Sequence, residues 1–156
     1  MNSQELSQKL SNATVSPRDV LRKYKIIAVV GASKNPEKDS HTVPQYMKSH
    51  GYTIIPINPT TDRILDEKSY PNIPELPGEI AKTVEVVNVF RPSEQLPEVA
   101  RQVVEMKNRY GKPNVFWAQL GLENEEAKKI LSDAKIDYVM NNCLRRAHQT
   151  QSQTGT

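Results

Sequence analysis

Five apolar, mostly β-branched residues, Ile26-Ile27-Ala28-Val29-Val30, end abruptly in Gly31-Ala32-Ser33, and a helical pattern resumes near Ser40. A strand with one wet face alternates polar and apolar side chains. An unbroken run is covered on both faces, as in a parallel sheet. A strand that turns through small residues into a helix opens a pocket of backbone N–H groups, and the helix dipole makes that pocket attractive to phosphate. The same arrangement also serves as a plain connection, so the rest of the chain must decide between the two.

The alternation of strand and helix continues. Ser16-Pro17 reads as an N-cap with Pro at the first helical position, ahead of a short helix through Val20, Leu21 and Tyr24. Val43, Met47 and His50 share one helical face, and Gly51 sits where that helix stops. Residues 52–57 form a second strand. Its Pro56 has no N–H to give, so it must lie where no ladder bond is needed. Arg63 through Tyr70 is expected to be a short third strand, and Pro71, Pro74 and Pro77 mark a loop. Residues 84–90, 114–118 and 136–140 read as further strands, with helices between them. One shows Leu96, Val99, Ala100 and Val103 on one face, and another is capped by Asn124. Such a chain requires right-handed βαβ crossovers. The expected fold is α/β: a single Rossmann-type, three-layer domain on a mainly parallel five-stranded sheet of order 3-2-1-4-5. Residues 1–15 are expected to be a polar tail or frayed helix, 16–148 the domain, and 149–156 a disordered tail.

Composition narrows the function. The net charge is +3, with Lys and Arg mixed among Asp and Glu, which gives no footprint for nucleic acid. No apolar run approaches the roughly 20 residues of a membrane helix. The first residues lack the features of a signal peptide, and the single Cys143 allows no internal disulfide. These features point to the cytoplasm.

Ligands of doubly wound sheets bind outside the carboxyl ends of the strands. The successive strands here end in Gly31-Ala32-Ser33, Asn58-Pro59, Phe90-Arg91-Pro92, Gln119-Leu120-Gly121 and Asn142-Cys143. None of these residues is a carboxylate, which suits a polyanionic nucleotide, although Gly, Pro and Asn also succeed strands for turn reasons alone. The dinucleotide fingerprint G-x-G-x-x-G with a later acid is missing: one glycine stands at the turn, and the second strand ends in Asn58-Pro59. The P-loop pattern is absent too. Lys34, Lys38 and His41 flank the turn and could meet phosphates, or Lys34 and Lys38 could simply be solvated beside Glu37 and Asp39.

Val-Val-Gly-Ala-Ser at 29–33 with Pro36 and Lys38, Pro-Ile-Asn-Pro at 56–59, Val-Phe-Arg-Pro at 89–92, Trp-Ala-Gln-Leu-Gly at 117–121, and Cys143 with His148 follow one another along the chain. In this order the set resembles the small stand-alone coenzyme A (CoA)-binding proteins, whose domain is similar to the CoA-binding domain of the succinyl-CoA synthetase α subunit. The resemblance spans about Val20 to His148. It implies that Gly31, Ala32 and Ser33 offer donors to the CoA diphosphate, with Lys38 and Ser40 assisting. It implies further that Asn58 and Pro59 line the adenosine side and that Phe90 and Arg91 pack on or neutralise the nucleotide. Gln119, Leu120 and Gly121 would shape the pantetheine channel, and Asn142 and Cys143 would stand near the thiol. Many relatives carry a charged pair just before the cysteine; here it is Asn141-Asn142.

Three functions remain open. The first is a CoA or acyl-CoA binder with no catalytic domain of its own. The second is an enzyme, either NAD(P)-linked or a CoA-thiol redox protein in which Arg145, Arg146 or His148 lowers the Cys143 pKa. The third is a CoA-dependent regulatory protein. A lone cysteine is also commonly a buried small hydrophobe. Cys143 and His148 are too few for zinc, so no metal site is expected. A homodimer is in keeping with the resemblance.

Overall fold

The computed structural model describes residues 10–154. The first helix among the described residues, α1 (Pro17–Lys23), starts at Ser16, whose hydroxyl accepts the Asp19 N–H. It feeds β1 (Ile26–Val30). The turn after β1 leads into α2 (Asp39–Ser49), and β2 (Thr53–Ile57) comes after it. A hairpin of β3 (Arg63–Ile64) and β4 (Glu67–Lys68) and a one-turn α3 (Gly78–Ala81) come next. The chain continues through β5 (Val86–Val89), a 3-10 turn at Ser93–Gln95, α4 (Leu96–Tyr110), β6 (Val115–Ala118), α5 (Glu125–Asp133), β7 (Asp137–Val139) and α6 (Leu144–Thr154).

Five strands form one parallel sheet in the order β2-β1-β5-β6-β7. Alternate side chains of these strands enter two separate cores, so β1 and β6 read as continuously apolar and β5 does so except at Asn88. On one face Val30, Val87, Val89 and Phe116 meet Leu96, Val99 and Val103 of α4 and Ala127 and Leu131 of α5. On the other, Ile27, Val29, Val86 and Trp117 meet Leu21 of α1, Val43 and Met47 of α2, and Leu144 of α6. The expected three-layer α/β class is therefore observed.

The strand order differs from 3-2-1-4-5. Counted along the chain within the sheet, it is 2-1-3-4-5, because Arg63–Tyr70 is not a sheet strand. Leu65 and Asp66 both take positive φ, 55° and 62°, and fold the segment into a two-stranded antiparallel hairpin. Within this segment only Tyr70 pairs with the sheet, as a single parallel bridge to Ile57. β2 is thus an edge strand. Pro56 sits on it, and the Pro56 carbonyl accepts the Tyr70 N–H on the outer side, so its missing N–H faces away from β1.

Both ends differ from expectation as well. Residues 12–14, grouped above with a tail or frayed helix, lie along β7: Ala13 bridges Val139 antiparallel, and Met140 donates to the Asn12 carbonyl at 2.7 Å. The fully buried Lys128 pairs with Glu125, and its ammonium and that carboxylate hold the Leu10 carbonyl and N–H. Residues 1–9 of the expected tail lie outside the described residues. At the other end, α6 continues to Thr154, into the stretch expected to be disordered.

Candidate functional site

The starts of α2 and α6 and the carboxyl ends of β5 and β6 border a cleft of about 550 Å³, whose lining does not include Gly31, Ala32 or Ser33. It lies where the strand order reverses, between β1 and β5, which is the switch point of such a sheet. Lys38, Asp39 and Ser40 come from the start of α2, Phe90 and Arg91 from the end of β5, Gln119 and Leu120 from the end of β6, and Cys143, Arg145 and Arg146 from the start of α6. Its volume falls within the ~300–1,000 Å³ typical of small-molecule sites.

Gly31 has a structural task here. Its φ is +88°, and a Cβ at this position would lie 2.7 Å from the Phe90 carbonyl oxygen. The turn after β1 therefore passes directly against the end of β5. The Gly31 N–H, expected to be a free donor, is already given to the Ile57 carbonyl at 3.0 Å, and the Ser33 N–H is given to the Ser40 carbonyl at 3.1 Å. The second bond lays the turn against the first residues of α2. Asn58 supports the same turn by donating to the Ala32 carbonyl at 2.7 Å, while its own oxygen accepts from Thr60. His41 donates through Nδ1 to the Ser33 carbonyl at 2.7 Å.

This scaffold leaves particular donors over. The N–H groups of Ala32, Lys34, Asp39 and Ser40 have no acceptor among the described residues. Helix α2 begins at Lys38 without a side-chain cap, although the first turn of a helix normally recruits one. The uncapped start, the dipole behind it and the lysine at its mouth are the features that attract an anion. Lys38, Arg91, Arg145 and Arg146 line the cleft, and none is ion-paired to a carboxylate among the described residues. The strand-end loops are free of acids, but Asp39 lines the cleft from the first turn of α2. Among the described residues the balance of the lining is four cations against one carboxylate.

Of the residues singled out from sequence, Lys38, Ser40, Phe90, Arg91, Gln119, Leu120 and Cys143 line this one cleft. Asn58 and Pro59 line a separate shallow hollow with Thr60 and Ser69. Asn142 lines another, beside Pro17 and Ala147, and its carbonyl accepts the Trp117 indole N–H at 2.8 Å. Gly121 has φ +84°, and its N–H is tied to Asn141 Oδ1 at 2.7 Å, so it shapes the loop that carries Leu120. His148 is turned to another set of partners. Its Nδ1 is 2.7 Å from the Tyr46 hydroxyl, and its ring packs edge-on against Tyr46, His50 and Tyr52. Burial, with His50 and Lys25 nearby, pushes its pKa below the ordinary value. It is not a partner of Cys143.

Two features escaped the sequence reading. Arg145 and Arg146, considered only as influences on Cys143, are themselves cationic walls of the cleft. Asn88, in the middle strand and fully buried, donates to the Trp117 carbonyl and to Gln119 Oε1. An amide among the valines of Val86–Val89 was the available signal. Among the described residues no group of three or more side chains could hold a metal ion, and no helix is long and apolar enough to cross a membrane.

The family described as CoA binding domain matches residues 25–149. The chain is 43% identical over 131 residues to the uncharacterized protein YneT of Bacillus subtilis, covering 84% of this chain and 90% of that one. It is 35% identical over 77 residues, 48% of this chain and 11% of the other, to acetate–CoA ligase [ADP-forming] II of Archaeoglobus fulgidus. The solved structure of a hypothetical protein from Pyrococcus horikoshii OT3 superposes with a TM-score of 0.76 at 32% identity, over 88% of this chain and 92% of that one.

Proposed function

The chain belongs to the CoA binding domain family, and on that premise we propose that it binds coenzyme A or an acyl-CoA in the β1–β5 cleft. The diphosphate is received by the N–H groups of Asp39 and Ser40, with the Lys38 ammonium and the Ser40 hydroxyl beside them. Arg91 neutralises the nucleotide and Phe90 packs on it. Gln119 and Leu120 border the path of the pantetheine arm, and Cys143 lies at the far wall. Gly31, Gly121, Asn58 and Asn142 shape the loops rather than touch the ligand.

One observation carries this reading: a cluster of backbone donors without acceptors at an uncapped helix start, inside a cleft of net positive charge. Coenzyme A matches it chemically, since its phosphates need donors and its long arm needs an open channel. Affinity in the low micromolar range or tighter, on the order of −8 kcal/mol, is expected. Isothermal calorimetry with CoA, dephospho-CoA, NAD and ATP tests the proposal. Equal affinity for CoA and NAD would show that the cleft does not select the coenzyme.

A second reading is supported by the position of Cys143 in the cleft wall. Its thiolate attacks one sulfur of a CoA disulfide, forms the Cys143–CoA mixed disulfide and releases the other sulfur as a thiolate. Intact-mass measurement after incubation with CoA disulfide tests this step. The adduct is expected on the wild type and not on Cys143→Ser; a wild type that gains no mass removes this reading and leaves the binding proposal intact.

A further inference from the structure

The cleft has a second helix start, which the diphosphate contacts do not use. Helix α6 (Leu144–Thr154) runs for 11 residues from Cys143, whose carbonyl accepts the Ala147 N–H at 2.9 Å. Its first N–H, that of Leu144, donates to Gln119 Oε1 at 3.0 Å. The next two, those of Arg145 and Arg146, have no acceptor among the described residues.

Gln119 distinguishes this helix start from an ordinary one. Its side chain lines the cleft, yet the residue is only 5% exposed. A backbone N–H can only donate, so the Leu144 contact identifies the Gln119 atom facing it as oxygen. Asn88 must then present its nitrogen to that oxygen, as it does at 3.3 Å, and this leaves Asn88 Oδ1 buried without a partner. The chain of donors runs one way, so the Gln119 amide cannot turn over without orphaning Leu144. Its Nε2, which carries two donors, has no acceptor among the described residues and opens on the cleft. The Arg145 and Arg146 side chains line the same end, unpaired with any carboxylate among the described residues. The only carboxylate in the lining among the described residues, that of Asp39, belongs to the α2 end.

We propose that the cleft seats two oxyanions at once: one at the start of α2, and a second at the start of α6, held by the Arg145 and Arg146 N–H and guanidinium groups and by Gln119 Nε2. The site itself rests on these residues; only the source of the second oxyanion rests on the coenzyme reading. A CoA thioester can bring it as a carboxylate at the end of its acyl group or as the 3′-phosphate of its ribose. The shared chemistry is an oxyanion with several oxygens to receive a fan of N–H donors.

Amide NMR of the full chain during titration with inorganic pyrophosphate is the direct test. The Asp39 and Ser40 amides and the Arg145 and Arg146 amides are expected to shift as two saturable sets. Gln119→Glu keeps an acceptor for Leu144 and Asn88 but replaces the donor with negative charge. It is expected to weaken the α6 set at least tenfold and to leave the α2 set within twofold. Still α6 amides in the wild type, or an α6 set indifferent to Gln119→Glu, would overturn the proposal. Calorimetry then identifies the source. A carboxylate source gives a carboxyl-terminated acyl-CoA at least a tenfold advantage over acetyl-CoA, lost in Gln119→Glu. A 3′-phosphate source gives CoA the same advantage over dephospho-CoA, also lost in the variant. If the wild type binds no form of CoA while its α6 amides respond to pyrophosphate, the coenzyme reading fails and the second oxyanion site stands.

Discussion

Asp39 allows the backbone contribution to binding to be separated from the side chain's. It occupies the first position of α2, its N–H has no acceptor among the described residues, and its carboxylate lines a cleft proposed to hold anions. Asp39→Ala removes the charge and keeps the N–H. The helix loses a favourable acid in its first turn, about 0.3–1 kcal/mol. The ligand escapes a like charge, and a gain of about 0.5–1 kcal/mol, roughly two- to fivefold in affinity, is expected. Asp39→Pro removes the charge and the N–H together. The backbone tolerates it, because proline suits the first helical position and the preceding Lys38 is extended at φ −96°, ψ 144°, as a residue before proline must be. A hydrogen bond from a backbone N–H to a charged group contributes about 1.5–3 kcal/mol. Asp39→Pro should therefore bind CoA about 10- to 150-fold more weakly than Asp39→Ala, with little difference between them in urea midpoint. Calorimetry and urea unfolding on the three proteins supply the numbers. Equal affinities in the Ala and Pro variants would refute the reasoning, since the start of α2 would then be presenting no donor to the ligand.

Three further outcomes are expected. Gly31→Ala meets both the positive φ, about 1–2 kcal/mol, and the Phe90 carbonyl at 2.7 Å, about 1–3 kcal/mol of overpacking. Gly51→Ala, at φ +93° with nothing within 4 Å, meets only the first, so equal urea midpoints for the two would remove the close approach from the account. His148 has a pKa below its ordinary 6.5, so the unfolded chain takes up a proton that the folded chain resists. The stability it contributes is therefore complete above pH 6.5 and is lost as pH falls toward the folded pKa. The wild-type urea midpoint should drop further between about pH 7.5 and 5.5 than that of His148→Gln, and parallel drops would refute the assignment. Asn124 accepts the Ala127 N–H at 2.9 Å and donates to the Ser93 carbonyl at 3.1 Å, so Asn124→Ala should cost about 1–2 kcal/mol in unfolding free energy, and an unchanged midpoint would contradict its role as the α5 cap.

The parts of the fold legible in sequence are those specified locally. The apolar runs of β1, β5 and β6 announce double coverage because both faces are in fact covered, with Val86–Val89 and Val115–Ala118 buried throughout. Ser16 and Asn124 announce helix starts because the cap and the N–H it serves are three residues apart. The parts that stayed hidden depend on distant partners or on rare local conformations. The β3–β4 turn uses Leu65 and Asp66 at positive φ where Gly or Asn would have advertised it. Residues 12–14 look like a tail because their hydrogen-bond partners, Tyr138 and Met140, lie more than a hundred positions away. Lys128 reads as surface because lysine almost always is; its burial comes from Glu125 and the Leu10 carbonyl together. At the site, residue types were informative and bonding states were not. Gly31 belongs to the turn, but whether its N–H is free depends on Ile57, 26 positions on.

The hairpin that reads as a strand in sequence explains why the site could be located while the strand order was wrong. In a sheet ordered 3-2-1-4-5 the direction reverses between the strand at 26–30 and the one at 84–90. Removing the supposed third strand takes a member from the outer edge and leaves those two neighbours in place, as the Ile27–Val86 to Val30–Val89 register shows. The crevice between their carboxyl ends is common to both topologies. Two chain reversals meet there: the Gly31 turn, pressed against Phe90, and the loop from β7 that starts α6. Each delivers a helix start to the same opening, and the sheet between them carries the buried Asn88–Gln119 pair, whose direction the Leu144 N–H sets. Selectivity for a phosphate-bearing thiol carrier would then reside in hydrogen-bond polarity, with donors at both ends and a donor held in the middle, more than in the shape of an open cleft. Asn88→Leu tests that synthesis. It removes the orphaned oxygen and one of the two donors to Gln119 Oε1, leaving the Leu144 N–H to hold the amide alone, so the fold should survive while discrimination between CoA and NAD narrows; retained discrimination would mean that the Asn88 restraint on Gln119 plays no part.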